Sequence, residues 1–250
     1  MTTLKLQYVG GPTAVLEYAG TRLLTDPTFD EPGDYPLPDG RKLTKLHGPG
    51  VDAGDIGPID AVLLSHDQHA DNLDQRGRAL LADVPLTLST PDAAERIDSV
   101  TGLAPWATAE VRDVTITAVP ARHGPEGAES VTGAVTGFVL RAPGAPAVYI
   151  SGDNANPDHI ADVEQRLGPI TIAVLFAGAV RIPHFDVPIT LTSEEAAAAV
   201  ATLPDATIVA LHTEDWAHFT EGPERVEAAF ADAGVTDRLV LPRRGEWISI

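Results

Sequence analysis

With 250 residues, 44% of them hydrophobic and 21% charged, the chain has room for one large core, or two lobes sharing one, and the make-up of a soluble globular protein. Its net charge of −19 argues against nucleic acid and anionic membranes as partners, while an anionic small substrate stays open because a bound cation dominates its own site. Cysteine is absent, which excludes disulfides, thiolate-held zinc and iron–sulfur clusters, so any metal must be held by His, Asp or Glu.

Residues 1–9 alternate like a strand and lack the apolar core of a signal peptide. No apolar run approaches the roughly 20 residues that span a bilayer, and the expectation is a cytoplasmic protein. Strands are predicted at Leu4–Val9, Ala14–Tyr18 and Arg22–Thr25, the last two joined at Ala19-Gly20. Residues 27–58 are rich in Pro and Gly and read as a long loop over one edge of the molecule, either bordering a site or inert. His47, within it, has no ligand spacing and reads as a surface histidine.

Beyond it, Ala61–Leu64 is a strand, residues 75–82 a helix and Leu86–Ser89 a strand. Thr90-Pro91-Asp92 starts a helix, with an N-cap hydroxyl and a proline where no N–H is needed. Glu110–Val111 and Thr115–Val119 are strands about a turn at Asp113, and Gly137–Arg141 with Ala147–Ile150 forms a hairpin. A helix capped at Asn156 runs to Leu167, with His159 on its polar face and therefore solvated. Thr171–Leu175 is a buried strand; a capping box at Thr192–Glu195 opens an alanine-rich helix to Leu203. Strand Thr207–Leu211, a helix over Glu221–Asp232 and strands near Arg238–Leu241 and Trp247–Ile250 complete an α/β reading with no linker between domains.

The chemistry gathers where strands end. After Ala61–Leu64, the stretch from His66 to Asp74 holds two imidazoles and three carboxylates in nine residues, the natural ligands of zinc, iron and manganese. Three further apolar strands end at His123, Asp153 and His212. One such histidine is more often structural; four strand ends repeating the pattern point to one sheet edge carrying a metal site. There is no G-x-S-x-G elbow, P-loop or G-x-G-x-x-G turn.

In order and spacing, His66…His69-Ala70-Asp71, His123, Ser151-Gly152-Asp153 and His212 resemble the metallo-β-lactamase superfamily. Leu23-Leu24-Thr25-Asp26-Pro27 is similar to the turn of its lactonase-like hydrolases. The resemblance covers nearly the whole chain and implies a single domain, a four-layer αββα sandwich with one or two metals at the sheet edge. It implies His66, His69 and His123 in a first site, Asp153 bridging, and Asp71 with His212 completing a second. Zn²⁺ is the first expectation, with Mn²⁺ or Fe²⁺ as alternatives, and the reaction implied is attack by a metal-activated water on a small ester, lactone or phosphodiester; with a single metal bound, Asp71 is the expected proton acceptor.

Two departures from the usual H-x-H-x-D-H pattern stand out. Gln68 makes the first spacing H-x-x-H, so either His66 or Asp67 can take the first ligand place, and Asn72 stands where the pattern has a second-site histidine. A neutral amide is the weaker ligand, which leaves a non-catalytic, ligand- or single-metal-binding protein as the alternative. Arg181, His184 and Asp186 lie in a loop expected opposite the motif side, His184 being either a substrate contact or a surface residue. Trp216 and Phe219 read as packing for the His212 loop, and His218 as a residue supporting a ligand. Asp26 either orients a ligand histidine or caps its own turn, and Arg122 offers an anion one exposed guanidinium.

Overall fold

The computed structural model describes residues 3–37 and 40–250. Strands β1 (Lys5–Gly10), β2 (Thr13–Tyr18) and β3 (Thr21–Thr25) form an antiparallel meander. A small separate hairpin follows, β4 (Gly33–Pro36) with β5 (Lys42–Lys45). Strands β6 (Ala61–Leu63), β7 (Thr87–Ser89) and β8 (Val100–Gly102) then add to β3 in parallel, with short helices α1 (Gln75–Leu80) and α2 (Pro91–Arg96) between them.

The second half builds another sheet. Strands β9 (Thr108–Val111), β10 (Val114–Pro120), β11 (Thr136–Arg141) and β12 (Val148–Ile150) are antiparallel neighbours, with the one-turn helix α3 (Glu129–Thr132) between β10 and β11. Strands β13 (Ile172–Phe176), β14 (Thr207–Leu211) and β15 (Leu239–Val240) extend it in parallel through helices α4 (Pro157–Leu167), α5 (Ser193–Thr202) and α6 (Pro223–Asp232). The chain returns as β16 (Trp247–Ser249) to pair with β1, so each sheet has seven strands.

The period-two alternation of the strands sorts their side chains into separate cores. From β13, Ile172, Val174 and Phe176 join Leu6, Leu16, Leu23 and Leu63 between the sheets. Ala173 and Leu175 face the other way and pack with Ile160, Val163, Ala196 and Phe230 from the three long helices. On the outer face of the first sheet, Val15, Leu24 and Val62 pack with Leu73, Leu81 and Ala93. Helix, sheet, sheet and helix layers follow, as expected. Local caps hold the helices in register: Thr90 Oγ1 accepts from Ala93 N, and Thr192 with Glu195 makes the full capping box.

The stretch 27–58 departs from its reading as a structureless loop. It contains the β4–β5 hairpin, whose strands GDYP and KLTK carry few apolar residues and therefore no core-facing alternation. The hairpin is tied down instead by a bridge from Lys45 to Trp216 and by the buried ion pair of Lys45 Nζ with Asp74 Oδ2 at 2.9 Å. Among the described residues no helix is long and apolar enough to cross a membrane.

Candidate metal centre

Strands β10, β12 and β14 run in one direction, so their C-terminal ends share an edge of the second sheet. The end of β6 meets that edge through a hydrogen bond from Thr136 N to Ser65 O at 3.1 Å. Gly152, with φ +56°, allows the approach: a Cβ there would lie 2.6 Å from Thr136 O and 2.9 Å from Ser65 Cβ. His66, His123, Asp153 and His212, each following one of these strands, thus meet at one edge.

Six residues form two adjoining groups that could hold metal ions: His66, His69, His123 and Asp153, then Asp71, Asp153 and His212. In the first, His66 Nε2 stands 2.9 Å from His69 Nδ1, and His123 Nε2 stands 3.3 Å from His69 Nδ1 and 3.5 Å from Asp153 Oδ2. In the second, His212 Nε2 lies 3.6 Å from both Asp71 Oδ2 and Asp153 Oδ1. Two donors held by one zinc at about 2.0–2.1 Å stand about 2.9–3.4 Å apart, so these separations fit shared ions with small adjustment. Asp153 offers one oxygen to each group.

Several of these polar atoms have no other partner. Asp71 Oδ1, Asp153 Oδ2 and both ring nitrogens of His212 are buried without a hydrogen-bond partner. Native proteins rarely leave so many polar atoms orphaned in one place, and a cation at this centre would take up the carboxylate oxygens and His212 Nε2, the ring nitrogen that faces them. The remaining nitrogens are committed in the way ligating imidazoles need: His123 Nδ1 lies 2.7 Å from the Ile189 carbonyl, and His66 Nδ1 lies 3.0 Å from Ser65 Oγ. His212 adopts φ +59°, an unfavourable backbone for a residue with a side chain, and is held between Phe176 and Phe219, whose ring centroids lie 5.2 and 4.0 Å away.

Electrostatics prepare the same protonation states. Burial pushes His66 well below its usual range and, with the like charge of neighbouring imidazoles, lowers His69 and His123 to about 4. All three are neutral at pH 7, with lone pairs free for a cation. Burial works against ionised Asp71, but His218, His212 and His69 outweigh it and hold the carboxyl well below the usual range. Burial raises Asp153; His212 is lowered by burial yet raised overall by Asp153 and Asp71.

Other expectations resolve differently. Asp67 is not in the donor group: both its oxygens accept from Arg96, at 3.0 and 2.6 Å, so of the two only His66 is placed among the candidate ligands. Asn72 turns its amide nitrogen inward, donating to Asp153 Oδ1 at 3.1 Å and to Ser65 Oγ at 3.4 Å, so it orients a carboxylate. Asp26 neither caps its own turn nor touches a ligand histidine; its Oδ1 accepts from Ser65 N at 2.6 Å and clamps the residue before His66. Burial raises it to about 8. Arg122 Nε donates to the Gly124 carbonyl at 3.1 Å and does not line the site. His159 Nδ1 lies 3.3 Å from Asn154 Oδ1, and His47 is exposed beside Asp215.

A cavity of about 670 Å³ opens above the ligands. Its floor is His69, Asp71, His123 and His218, and its walls include Leu43, Val131, Val180, Ile182 and Ile189. The loop with Arg181 and His184 was expected opposite the motifs; it lines this cavity instead, together with Arg41 and Lys42 at the hairpin. His218 supports a ligand directly, its Nε2 lying 3.0 Å from Asp71 Oδ2. These two residues are 147 positions apart, and only the His-rich sequence after β14 hinted at the contact.

The family model described as "Beta-lactamase superfamily domain" matches residues 21–213. Uncharacterized protein Rv0906 of Mycobacterium tuberculosis is 29% identical over 262 residues, covering 96% of this chain and 67% of that protein. A UPF0173 metal-dependent hydrolase of Pyrococcus abyssi is 25% identical over 201 residues, covering 78% of this chain and 84% of its own. Among solved structures, an isothiocyanate hydrolase from Delia radicum gut bacteria superposes with TM-score 0.85 at 24% identity, over 98% of this chain and 99% of the other. A possible metal-dependent hydrolase from Veillonella parvula superposes with TM-score 0.87 at 19% identity, over the whole of both chains. With the family model running from β3 through β14 and taking in every candidate ligand, the chain belongs to the metallo-β-lactamase superfamily.

Proposed function

We propose that this chain is a metal-dependent hydrolase acting on a small ester, lactone or phosphodiester, with zinc as the resident metal and manganese or iron(II) as alternatives. The observation that carries the reading is the donor set itself, three neutral imidazoles and the Asp153 carboxylate common to both groups, beside a second carboxylate–imidazole pair with orphaned atoms. In this reading His66, His69, His123 and Asp153 hold the first ion, and Asp71, Asp153 and His212 the second. A metal held by these residues would lower the pKa of a bound water towards about 7 and polarise a substrate oxygen.

The chain's own residues supply the rest. With only the first ion bound, Asp71, ionised and hydrogen-bonded by His218, would accept the proton of the attacking water. Asn72 and Ser65 keep Asp153 and His66 in place. The aliphatic walls exclude competing water and receive the apolar part of the substrate, a small molecule. No nucleic-acid or membrane partner enters the reading, given the charge of −19, and the protein works in the cytoplasm.

Metal analysis of protein purified without chelator, followed by a panel of lactones, esters, bis-(p-nitrophenyl) phosphate and an isothiocyanate, tests it. Turnover that is abolished by chelation and restored by zinc or manganese supports the reading. Fewer than about 0.2 ions per chain would overturn it, because a competent zinc site binds tightly. It would favour a second reading, a ligand-binding protein without turnover, for which Asn72 in place of an imidazole is the supporting observation.

A further inference from the structure

The cavity has a charge pattern opposite to that of the chain. Acidic residues outnumber basic ones 36 to 17, yet Arg41, Lys42 and Arg181 all line the cavity and, among the described residues, its only carboxylate is Asp71 at the floor. The three cations are not equivalent. Lys42 is committed to Asp34, with Nζ 2.7 Å from Oδ2. Arg181 donates from Nη1 to the main-chain oxygen of Asp186 at 3.1 Å, and no carboxylate pairs with it among the described residues. Arg181 is exposed and held by a neutral acceptor, which leaves the charge of its guanidinium uncancelled at the cavity.

Val180, Ile182, Ile189 and Val131, the last 44% exposed, line the same cavity as Arg181 and the candidate ligands. A volume of about 670 Å³ falls within the usual range of about 300–1,000 Å³ for a small-molecule site. We propose that the cavity recognises an amphiphilic anion: an apolar body along the aliphatic wall, a negative group at Arg181, and the bond to be cleaved at the floor. The inference rests on the hydrolase reading only for what happens at the floor. Selectivity for the anion belongs to Arg181 and needs neither metal nor turnover.

The test uses two dyes with the same anilinonaphthalene body, 8-anilinonaphthalene-1-sulfonate and its neutral counterpart N-phenyl-1-naphthylamine, titrated by fluorescence into chelator-treated and zinc-loaded protein. The wild-type protein is expected to bind the sulfonate about fivefold more tightly than the neutral dye, the upper end for a solvent-accessible ion pair. Arg181→Gln should abolish that preference and leave the neutral dye unchanged, while Arg181→Lys should retain most of it. Val131→Asp, an exposed position that does not threaten the fold, should weaken both dyes and so locate them in the cavity. Equal binding of the two dyes by wild type, an Arg181→Gln effect on both or neither, or Val131→Asp leaving sulfonate binding intact would each overturn the proposal. Absence of hydrolysis with the dye preference intact would instead count against the hydrolase reading alone.

Discussion

Replacing His123 by Asn in chelator-treated protein gives the most direct test of how the centre is built. His123 is 1% exposed, and burial first, with His212 and His218 adding to it, lowers its pKa from 6.5 to about 4. The sign follows from proton binding. Below pH 6.5 the unfolded chain protonates this imidazole while the folded one does not, so the unfolded state gains and stability falls with pH. Above pH 6.5 both states are neutral and the effect vanishes. Two and a half pKa units at 1.36 kcal/mol each give about 3 kcal/mol in full, of which about 2.5 kcal/mol is lost by pH 4.5. Urea unfolding followed by tryptophan fluorescence at pH 7.0 and 4.5 measures it. Wild type should lose about 2–3 kcal/mol more on acidification than His123→Asn, and the variant should also purify with little zinc. Equal acid losses in the two proteins would refute the claim that this imidazole is buried neutral, and full metal content in the variant would refute its place among the ligands.

Asp67→Asn should leave metal content unchanged and cost about 1.5–3 kcal/mol in urea unfolding, because its oxygens serve Arg96 and not the metal centre. Lys45→Met should cost about 3–5 kcal/mol, since it strands the Asp74 carboxylate that caps α1, and Lys45→Met/Asp74→Asn should recover part of the loss. Gly178→Ala should lower metal affinity measured by competition with a chromogenic chelator, because the added Cβ would sit 2.0 Å from the His212 carbonyl and displace that residue; unchanged affinity would show that the His212 loop tolerates the shift.

Much of the fold is legible because its determinants are local. The continuous apolar runs in Thr171–Leu175 and Thr207–Leu211, the caps at Thr90, Asn156 and Thr192, and apolar strands ending in His or Asp each lie within a few residues of sequence. The hairpin within residues 27–58 escaped because polar strands stabilised by Trp216 and Asp74 carry no periodic signal of their own. Short elements such as β8 and α3 escaped for the same reason, being three and four residues long.

For the site, sequence alone determined the identity of the chemistry. Four strand ends bearing imidazoles and carboxylates, with no cysteine, restrict the ligand set before any coordinates are known. Only the tertiary structure decided between neighbours one residue apart. His66 points to the metal centre and Asp67 does not, because Arg96, 29 positions on and brought alongside by α2, takes both Asp67 oxygens. Asn72 became an orienting donor through Asp153, 81 positions away, and His218 and Arg181 joined the cavity only once their loops folded over it. Ligand type is a property of side chains; which way each one faces depends on partners that meet it only in the folded chain.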